Sequence, residues 1–426
     1  MRRVCFIVVV LCLLPSCRKD VPFFFGSRTR SDMLQGTFTG AERGAHSAVP
    51  EFHKDTLLYA CGVEWPEGYD WNRDSCAGSQ RGNLVLMCWM KGRDGKDQFV
   101  RLKDIPASPS DKVSTDTDMH HLLGGHLYTE YSDDRRTSFG CDGELRFTID
   151  GRYFLKGICE DEDGSLLTLW QSRSGAGVRL FRGGNCIFSR DGAMVFGGMD
   201  GPEYGRTGAL HMGAGGISFA FTLPSTDGTI FVWQQGEEMM LTVSDRFTKV
   251  LDVRVAGGRP LVLGSDGRRL LLSDSGKLRE VSFLAFEEIE EAYILEVGGK
   301  AAVCSRGTEM ASMTGLYLDC DDGKRWYETM DTGGLLLQDG ENLLVMGYNK
   351  YSEIWIQFDG WRNDPPYLTY YFFKYPGAAA VCGKKAALAM TERYRKESKV
   401  WLASGNLDVP LRNGCLTGAE YVIKER

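Results

Sequence analysis

The sequence predicts an all-β protein, and three observations carry that prediction. Short runs of β-branched, aromatic and aliphatic residues fill the chain from about residue 55 to its end. Asp-Gly pairs, which favour two-residue hairpin turns, separate many of these runs. Long amphipathic helices do not alternate with the strands, which argues against a parallel α/β sheet. Residues 281–293 alone have a helical alternative, and they fit a strand equally well.

The spacing of the runs predicts one all-β architecture in particular. Two strands joined by a loop form a unit, and second strands recur at roughly 40–46 residues, the length of a four-stranded propeller blade. Residues 193–212 and 229–243 form two such units, which we expect in different blades. Because a ring of blades leaves few open sheet edges, we expect residues 51–426 to form a single β-propeller. It should have about seven blades, within a range of six to eight, each of four antiparallel strands.

Composition and charge restrict the function classes. Hydrophobic residues make up 43% and charged residues 25% of the 426 residues, which excludes a disordered or collagen-like chain. The formal net charge of −7 argues against a nucleic-acid partner, because nucleic-acid surfaces need a basic excess. The cysteines include no Cys-x-x-Cys pair, which argues against structural zinc. We expect a monomer without a cofactor or metal.

Residues 1–16 predict an export signal. Two arginines precede an apolar run, Val4–Leu14, that is too short to span a bilayer as a helix. Leu14-Pro15-Ser16-Cys17 then resembles a bacterial lipobox, in which Pro15 replaces the usual small residue. The resemblance implies that residues 1–16 are removed as a lipoprotein signal peptide and that Cys17 is lipidated. The alternative is a plain secreted protein with an incidental cysteine.

Residues 17–50 are expected to tether the lipidated cysteine to the propeller, because they are rich in Gly, Ser, Thr and Arg and lack periodicity. Arg18-Lys19-Asp20 resembles the surface-export signals of some Gram-negative lipoproteins. We therefore expect an exported protein that is lipid-anchored to the outer membrane. The sequence leaves open whether it faces outward or into the periplasm.

The turn after Asp319 carries a recognisable motif. Its sequence, DCDDGKRW, resembles the Asp-box of sialidase-like propellers, Ser-x-Asp-x-Gly-x-Thr-Trp. Asp321, Gly323 and Trp326 match that motif, whereas Asp319 and Arg325 depart from it. The resemblance implies a structural turn on the face opposite the ligand site, in which the Asp accepts backbone N–H groups and the Trp packs beneath. The alternative is a Ca²⁺ site at Asp319 and Asp321, although no glutamate follows to close such a loop.

Loops between the paired strands carry the candidate ligand-binding residues. The first, residues 64–82, combines flat aromatic rings with carboxylates and an arginine, the residue types that stack on sugars or form protein hot spots. The alternative is an Ω-loop that packs its own aromatic side chains. Three further loops place Arg beside Tyr or Glu. We expect them to share one face with the other loops inside the predicted units, which include residues 160–164 and 234–238. The candidates are Trp65, Tyr69, Trp71, Arg73, Tyr204, Arg206, Arg306, Arg393, Tyr394 and Arg395.

The same residue types raise the question of catalysis. A sialidase needs an arginine cluster, a Tyr nucleophile with a Glu partner and an Asp acid/base. However, the Arg-Ile-Pro signature of that family is missing, because Arg259-Pro260 lacks the middle residue. We therefore predict no catalytic residues and a non-catalytic, envelope-anchored propeller that binds a glycan or a protein. The alternatives are a sialidase-like glycoside hydrolase and a scaffold for an envelope assembly.

His120, His121 and His126 are the one histidine cluster of the sequence. A metal site is one interpretation of the cluster. No acidic or cysteine residue lies beside it at ligand spacing, so a loop followed by the start of a strand fits better.

Cys17→Ala tests the lipid anchor. Because acyl chains on this cysteine would hold the protein on a membrane, the variant should move from the membrane fraction to the soluble fraction. Cell fractionation with immunoblotting measures the change, and Cys12→Ala is the matched control. An unchanged membrane fraction for Cys17→Ala contradicts lipidation.

Overall fold

The computed structural model describes the chain from residue 56 to residue 423, with gaps. Contacts divide the chain into two units, Met1–Gly40 and Ala41–Arg426, and every described residue lies in the second. At residues 288–291, 306–379, 381, 385, 392 and 405, where these are described at all, the backbone alone is described. The segments within this range that are not described are 69–81, 92, 107–119, 134, 175–176, 197–208, 214, 224–228, 242, 268, 282–287, 298–299, 309–313, 321–322, 329–333, 340–341, 349–353, 359–360, 364–370, 373–378, 383–384, 393–396 and 403–404.

The described elements are all β-strands, and they pair into eight sheets. The first sheet contains β1 (Thr56–Glu64), β2 (Asn83–Lys91) and β3 (Asp97–Ile105). The second contains β4 (His120–Leu123), β5 (His126–Ser132), β6 (Arg136–Cys141) and β7 (Glu144–Asp150). The third contains β8 (Tyr153–Glu160), β9 (Leu166–Ser172), β10 (Gly177–Arg182) and β11 (Asn185–Asp191). The fourth contains β12 (Met194–Val195), β13 (His211–Gly213), β14 (Gly216–Thr222), β15 (Ile230–Gln234) and β16 (Glu237–Leu241).

The remaining sheets follow the same order along the chain. The fifth sheet contains β17 (Lys249–Ala256), β18 (Arg259–Ser265), β19 (Leu270–Asp274) and β20 (Lys277–Glu280). The sixth contains β21 (Glu288–Val297), β22 (Lys300–Thr308), β23 (Thr314–Cys320) and β24 (Gly323–Glu328). The seventh contains β25 (Gly334–Asp339), β26 (Asn342–Tyr348), β27 (Ile354–Phe358) and β28 (Trp361–Asn363). The eighth contains β29 (Tyr371–Phe372), β30 (Ala379–Cys382), β31 (Lys385–Glu392), β32 (Ser398–Leu402) and β33 (Gly405–Val409), and β34 (Gly414–Ile423) returns to the first sheet.

The strand pairing defines a β-propeller. Consecutive strands pair antiparallel within each sheet, and in the fourth and eighth sheets two short strands share the first position. First strands of neighbouring sheets contact one another, as β17 does with β21 and β30 with β34, so these strands are innermost. The antiparallel pairing of β34 with β1 closes the ring. The all-β propeller class predicted from the sequence is therefore confirmed.

The sheets differ from the predicted units in two places. Residues 120–150, to which no unit was assigned, form the second sheet. Residues 193–212 and 229–243, which were expected in different blades, contribute to one sheet, the fourth. The described residues form eight sheets, and the sequence predicts about seven blades within a range of six to eight. Of residues 281–293, the part from Glu288 onward belongs to a strand, and no described helix is long and apolar enough to cross a membrane.

Apolar side chains fill the spaces between neighbouring sheets. Trp170 of the third sheet is fully buried and meets Phe139 of the second sheet edge to face, with ring centroids 5.6 Å apart. Phe188 of the third sheet meets Phe219 of the fourth in the same way at 5.3 Å. The described cysteines are free thiols, most of them buried in these cores. The third sheet thus has apolar side chains on both surfaces, and such a sheet needs a neighbour on each side to be stable.

Polar side chains also join neighbouring sheets, and the described side chains show this at five junctions. In each case a side-chain oxygen accepts the backbone N–H of a residue on the innermost strand, or its turn, in the next sheet. In each of the following pairs the first residue supplies the accepting oxygen and the second the N–H group: Glu130 and Leu155 (2.9 Å), Gln171 and Val195 (2.6 Å), Asp252 and Ile294 (2.7 Å), Thr391 and Leu416 (2.9 Å), and Glu420 and Gly124 (3.0 Å).

Asp252→Ala tests the importance of such a junction. Asp252 is 3% exposed, and its carboxylate accepts Ile294 N–H and lies 3.3 Å from Arg254 Nε. The variant leaves the buried Ile294 N–H without its acceptor, so we expect a loss of about 1–3 kcal/mol in the free energy of unfolding. Urea denaturation followed by tryptophan fluorescence measures the loss. Asp245→Ala, at an exposed aspartate, is the control, and equal midpoints for the two variants would contradict the role of Asp252.

Candidate functional site

The propeller has two ends that carry different connections. Because neighbouring strands are antiparallel, connections alternate between the ends of a sheet. We call the end with the connections between the second and third strands, counted from the innermost, the loop face. The end with the first-to-second and third-to-fourth connections is the turn face. Residues 160–164 and 234–238 connect strands at the turn face, so the predicted loops do not all share one face.

Most of the predicted ligand-binding residues lie outside the described residues. This applies to Tyr69, Trp71, Arg73, Tyr204, Arg206, Arg393, Tyr394 and Arg395. Arg306 lies on β22, next to the loop face, where only the backbone is described. A binding role for these residues therefore stays a prediction.

Trp65 has a different position from the expected one. It follows β1 directly, is only 5% exposed and belongs to the hydrophobic core of the first sheet. Its backbone N–H donates to the carbonyl oxygen of Asn413 at 3.1 Å, which fixes the chain where it leaves β1. The structure thus corrects the prediction for this residue: Trp65 anchors the base of the loop and presents no open ring to a ligand.

The Asp-box turn lies at the turn face. Asp319 lies in β23 next to its last residue, Cys320, and Gly323 and Trp326 belong to β24, so the segment forms the expected hairpin. Asp321 is not described, and neither are the side chains of the other motif residues. The structural Asp-box and the alternative Ca²⁺ site therefore both stay predictions.

An ionic network holds the base of the first loop at the loop face. Arg101 donates from Nη2 to Glu64 Oε2 at 2.8 Å and from Nη1 to Glu64 Oε1 at 3.1 Å, and it also pairs with Asp104. The hydrogen bonds to Glu64 raise the pKa of the Arg101 guanidinium above its ordinary value. Glu64 also accepts the backbone N–H of Arg412. Since these charged groups satisfy one another's hydrogen-bonding capacity, the network has a structural role. The spacing of these residues in the sequence gives no signal for it.

A basic cleft lies at the turn face between the fifth and sixth sheets. It has a volume of about 280 Å³. Two tight turns build it, because Gly257-Gly258 and Ser275-Gly276 all have positive φ and reverse the chain in two residues. The cationic residues at the cleft therefore stand at or near strand starts. The lining residues are Gly257, Arg259, Leu261, Leu272, Asp274, Lys277, Leu278, Arg279, Lys300 and Ala301.

The charges at this cleft oppose the charge of the whole protein. Four cationic side chains line it and, among the described lining residues, one carboxylate, whereas the full chain has a formal net charge of −7. Arg259 Nη1 lies 2.6 Å from Asp274 Oδ2, so this carboxylate is engaged by one of the cations. Lys277 and Lys300 complete the positive rim, above an apolar floor that includes Leu261 and Leu272. Such a cleft attracts and orients anionic ligands.

The histidine cluster divides into structural and exposed residues. His120 begins β4, as the sequence indicated, and its Nε2 lies 2.7 Å from Thr417 Oγ1. Burial lowers the pKa of His120 to about 4, and the neighbouring His121 adds to this effect. Burial likewise lowers the pKa of His121 to about 4. Both rings are therefore neutral at pH 7 and serve the packing around β4.

The fold and these two faces define a β-propeller protein. Among solved structures, the chain is similar to apo AztD from Citrobacter koseri, with 10% identity and a TM-score of 0.41 over 86% of this chain and 98% of that one. It is also similar to the β-propeller domain of the Trilobed protease from Pyrococcus furiosus, with 12% identity and a TM-score of 0.39 over 74% of this chain and 95% of that one. A third similar structure is TolB from Acinetobacter baumannii, with 13% identity and a TM-score of 0.30 over 85% of this chain and 82% of that one. These are similarities of fold alone. No family model and no curated protein matches the sequence.

Acidification should destabilise the protein through His120 and His121, whose pKa burial lowers. Their pKa is about 4 in the folded chain and about 6.5 in an unfolded one, so the folded state binds fewer protons between these values. The free energy of unfolding should therefore fall by up to about 1.4 kcal/mol per pH unit per histidine as the pH drops from about 6.5 to about 4. Urea midpoints across this range measure the slope, and His121→Gln should reduce it. An identical slope in the variant would contradict the assignment.

Proposed function

We propose that this protein is a non-catalytic, envelope-anchored β-propeller lipoprotein that binds an anionic glycan in the basic cleft between its fifth and sixth sheets. The observation that carries the proposal is the convergence of four cationic side chains on one cleft of about 280 Å³. Its volume is near the lower end of the roughly 300–1,000 Å³ of small-molecule sites. A short stretch of an anionic chain fits it better than a large ligand does.

The chemistry of the lining matches an acidic sugar. Arg259 is held by Asp274, so its guanidinium is oriented before a ligand arrives and can pair with a carboxylate or sulfate. Lys277 and Lys300 supply further point charges on flexible stems. The apolar floor and the lysine stems can contact the C–H surface of a sugar ring, whose hydroxyl groups find an acceptor in Asp274.

The same lining favours binding over hydrolysis. Glycoside hydrolases use two carboxyl groups on opposite sides of the scissile bond, separated by roughly 5–10 Å. Among the described residues of the cleft, Asp274 is the one carboxylate, and it is engaged by Arg259. This supports a binding function for the cleft.

The N-terminal segment supports the envelope location within the proposal. A lipidated Cys17 and a tether that ends near residue 50 would keep the propeller close to a membrane surface. A protein held there meets polysaccharides at high local concentration, which compensates for a modest affinity at a small cleft.

Titration with a hexameric oligogalacturonate tests the binding site. The protein should bind this acidic glycan more tightly than the neutral maltohexaose, and added salt should weaken the binding because charges are screened. Lys277→Ala with Lys300→Ala should raise Kd at least about tenfold, since each charge-assisted contact contributes about 1.5–3 kcal/mol. Calorimetry or thermophoresis measures Kd, and the products of both glycans are followed in parallel.

Lys249→Ala is the matched control, because Lys249 is exposed at the opposite end of β17. It should leave Kd unchanged. Equal affinity for the acidic and neutral glycans, or an unchanged Kd in the double variant, contradicts the cleft as the binding site. Release of shortened oligosaccharides would overturn the non-catalytic part of the proposal.

A further inference from the structure

We infer that a divalent transition-metal ion, with Zn²⁺ as the best fit, binds at the turn face of the second sheet between His126, Cys141 and Asp142. This site is separate from the basic cleft and does not depend on the proposed function. The three residues each offer one ligand atom, and these atoms lie within 4.8 Å of one another. His126 Nδ1 and Asp142 Oδ2 are 2.9 Å apart.

The hairpin between β6 and β7 fixes two of the three ligands. Cys141 ends β6, and Asp142 forms the turn with Gly143, with φ values of 54° and 87°. Asp142 N–H donates to the carbonyl oxygen of Leu127 at 2.8 Å, and Asp142 Oδ1 accepts Leu127 N–H at 2.9 Å. These two bonds hold the aspartate in a left-handed conformation and direct Oδ2 to the imidazole. The ligand atoms are thus positioned by the fold before a metal arrives.

The donor set selects the class of metal. Imidazole nitrogen, thiolate sulfur and carboxylate oxygen are ligands of Zn²⁺ and its neighbours, whereas Mg²⁺ and Ca²⁺ prefer oxygen alone. Bonds of about 2.0–2.3 Å in a tetrahedral site put ligand atoms roughly 3.3–3.7 Å apart. The distance between His126 and Asp142 therefore needs to widen only by a few tenths of an ångström. The side chain of His126 is 54% exposed, which leaves the fourth position to water.

The charges of the site balance those of the ion. On binding, the Cys141 S–H bond breaks, the proton goes to solvent and the sulfur forms the metal bond. Thiolate and carboxylate then neutralise the two positive charges. Glu420 also interacts electrostatically with His126 and adds negative potential. In the metal-free protein, Arg146 hydrogen-bonds to Cys141, and because Arg146 is exposed it can turn towards solvent when the ion enters.

Cobalt titration of the metal-stripped full chain tests the site. The absorption spectrum of bound Co²⁺ depends on its ligands, and a thiolate ligand gives a charge-transfer band in the near ultraviolet. We expect one equivalent of Co²⁺ to produce this band and one equivalent of Zn²⁺ to abolish it. Cys141→Ser should lose the band, and His126→Ala and Asp142→Asn should each raise the Kd for Zn²⁺ at least about tenfold.

Cys186→Ser is the matched control, because Cys186 is an exposed free thiol on β11. It should retain the band and the affinity for Zn²⁺. The inference is overturned if the unmodified protein gives no band, or if Cys141→Ser keeps it. Circular dichroism checks the fold of each variant. If Cys141→Ser is unfolded, His126→Ala takes its place as the test, because His126 is exposed. An unchanged Kd for Zn²⁺ in His126→Ala also overturns the inference.

Discussion

The backbone N–H groups on the innermost strands are the constraint on which the structure depends. An innermost strand has a partner strand on one side only, and a buried N–H without an acceptor costs about 1–3 kcal/mol. At five junctions within the described part of the ring, a side-chain oxygen of the preceding sheet accepts such a group, as Gln171 does for Val195 and Asp252 for Ile294. These bonds are directional, whereas apolar packing between sheets is not. They therefore fix the angle and height at which each sheet meets the next.

The basic cleft depends on this fixed arrangement because it lies between two sheets, and tight turns complete both candidate sites. The basic cleft combines Arg259 and Lys277 of the fifth sheet with Lys300 of the sixth. The candidate metal ligands combine the start of β5 with the turn after β6. Two-residue turns fix the backbone at both sites. Binding there therefore requires less ordering of the backbone than binding by long loops does.

The sequence predicts the fold class well because hairpin signals are local. Asp-Gly pairs and blade-length spacing need only neighbouring residues, and they correctly predict antiparallel sheets in a propeller. The division into sheets is harder to predict from the sequence. β4 has only four residues, and the first strand of the fourth sheet is split between β12 and β13, so the blade-length spacing is interrupted at both places. The burial of Trp65 and the meeting of His126 with Asp142 depend on residues that are distant in sequence. No pattern in the sequence signals such contacts.

The position of β1 within the first sheet has a mechanical consequence. This strand forms hydrogen bonds with β34 on one side and β2 on the other. A force applied to the segment before Thr56, along the direction of the strand, loads both ladders at once and in shear. All the bonds then resist together, whereas a strand at a sheet edge peels away one bond at a time. The ladders on both sides of β1 thus resist together a pull on the chain where it enters the propeller at Thr56.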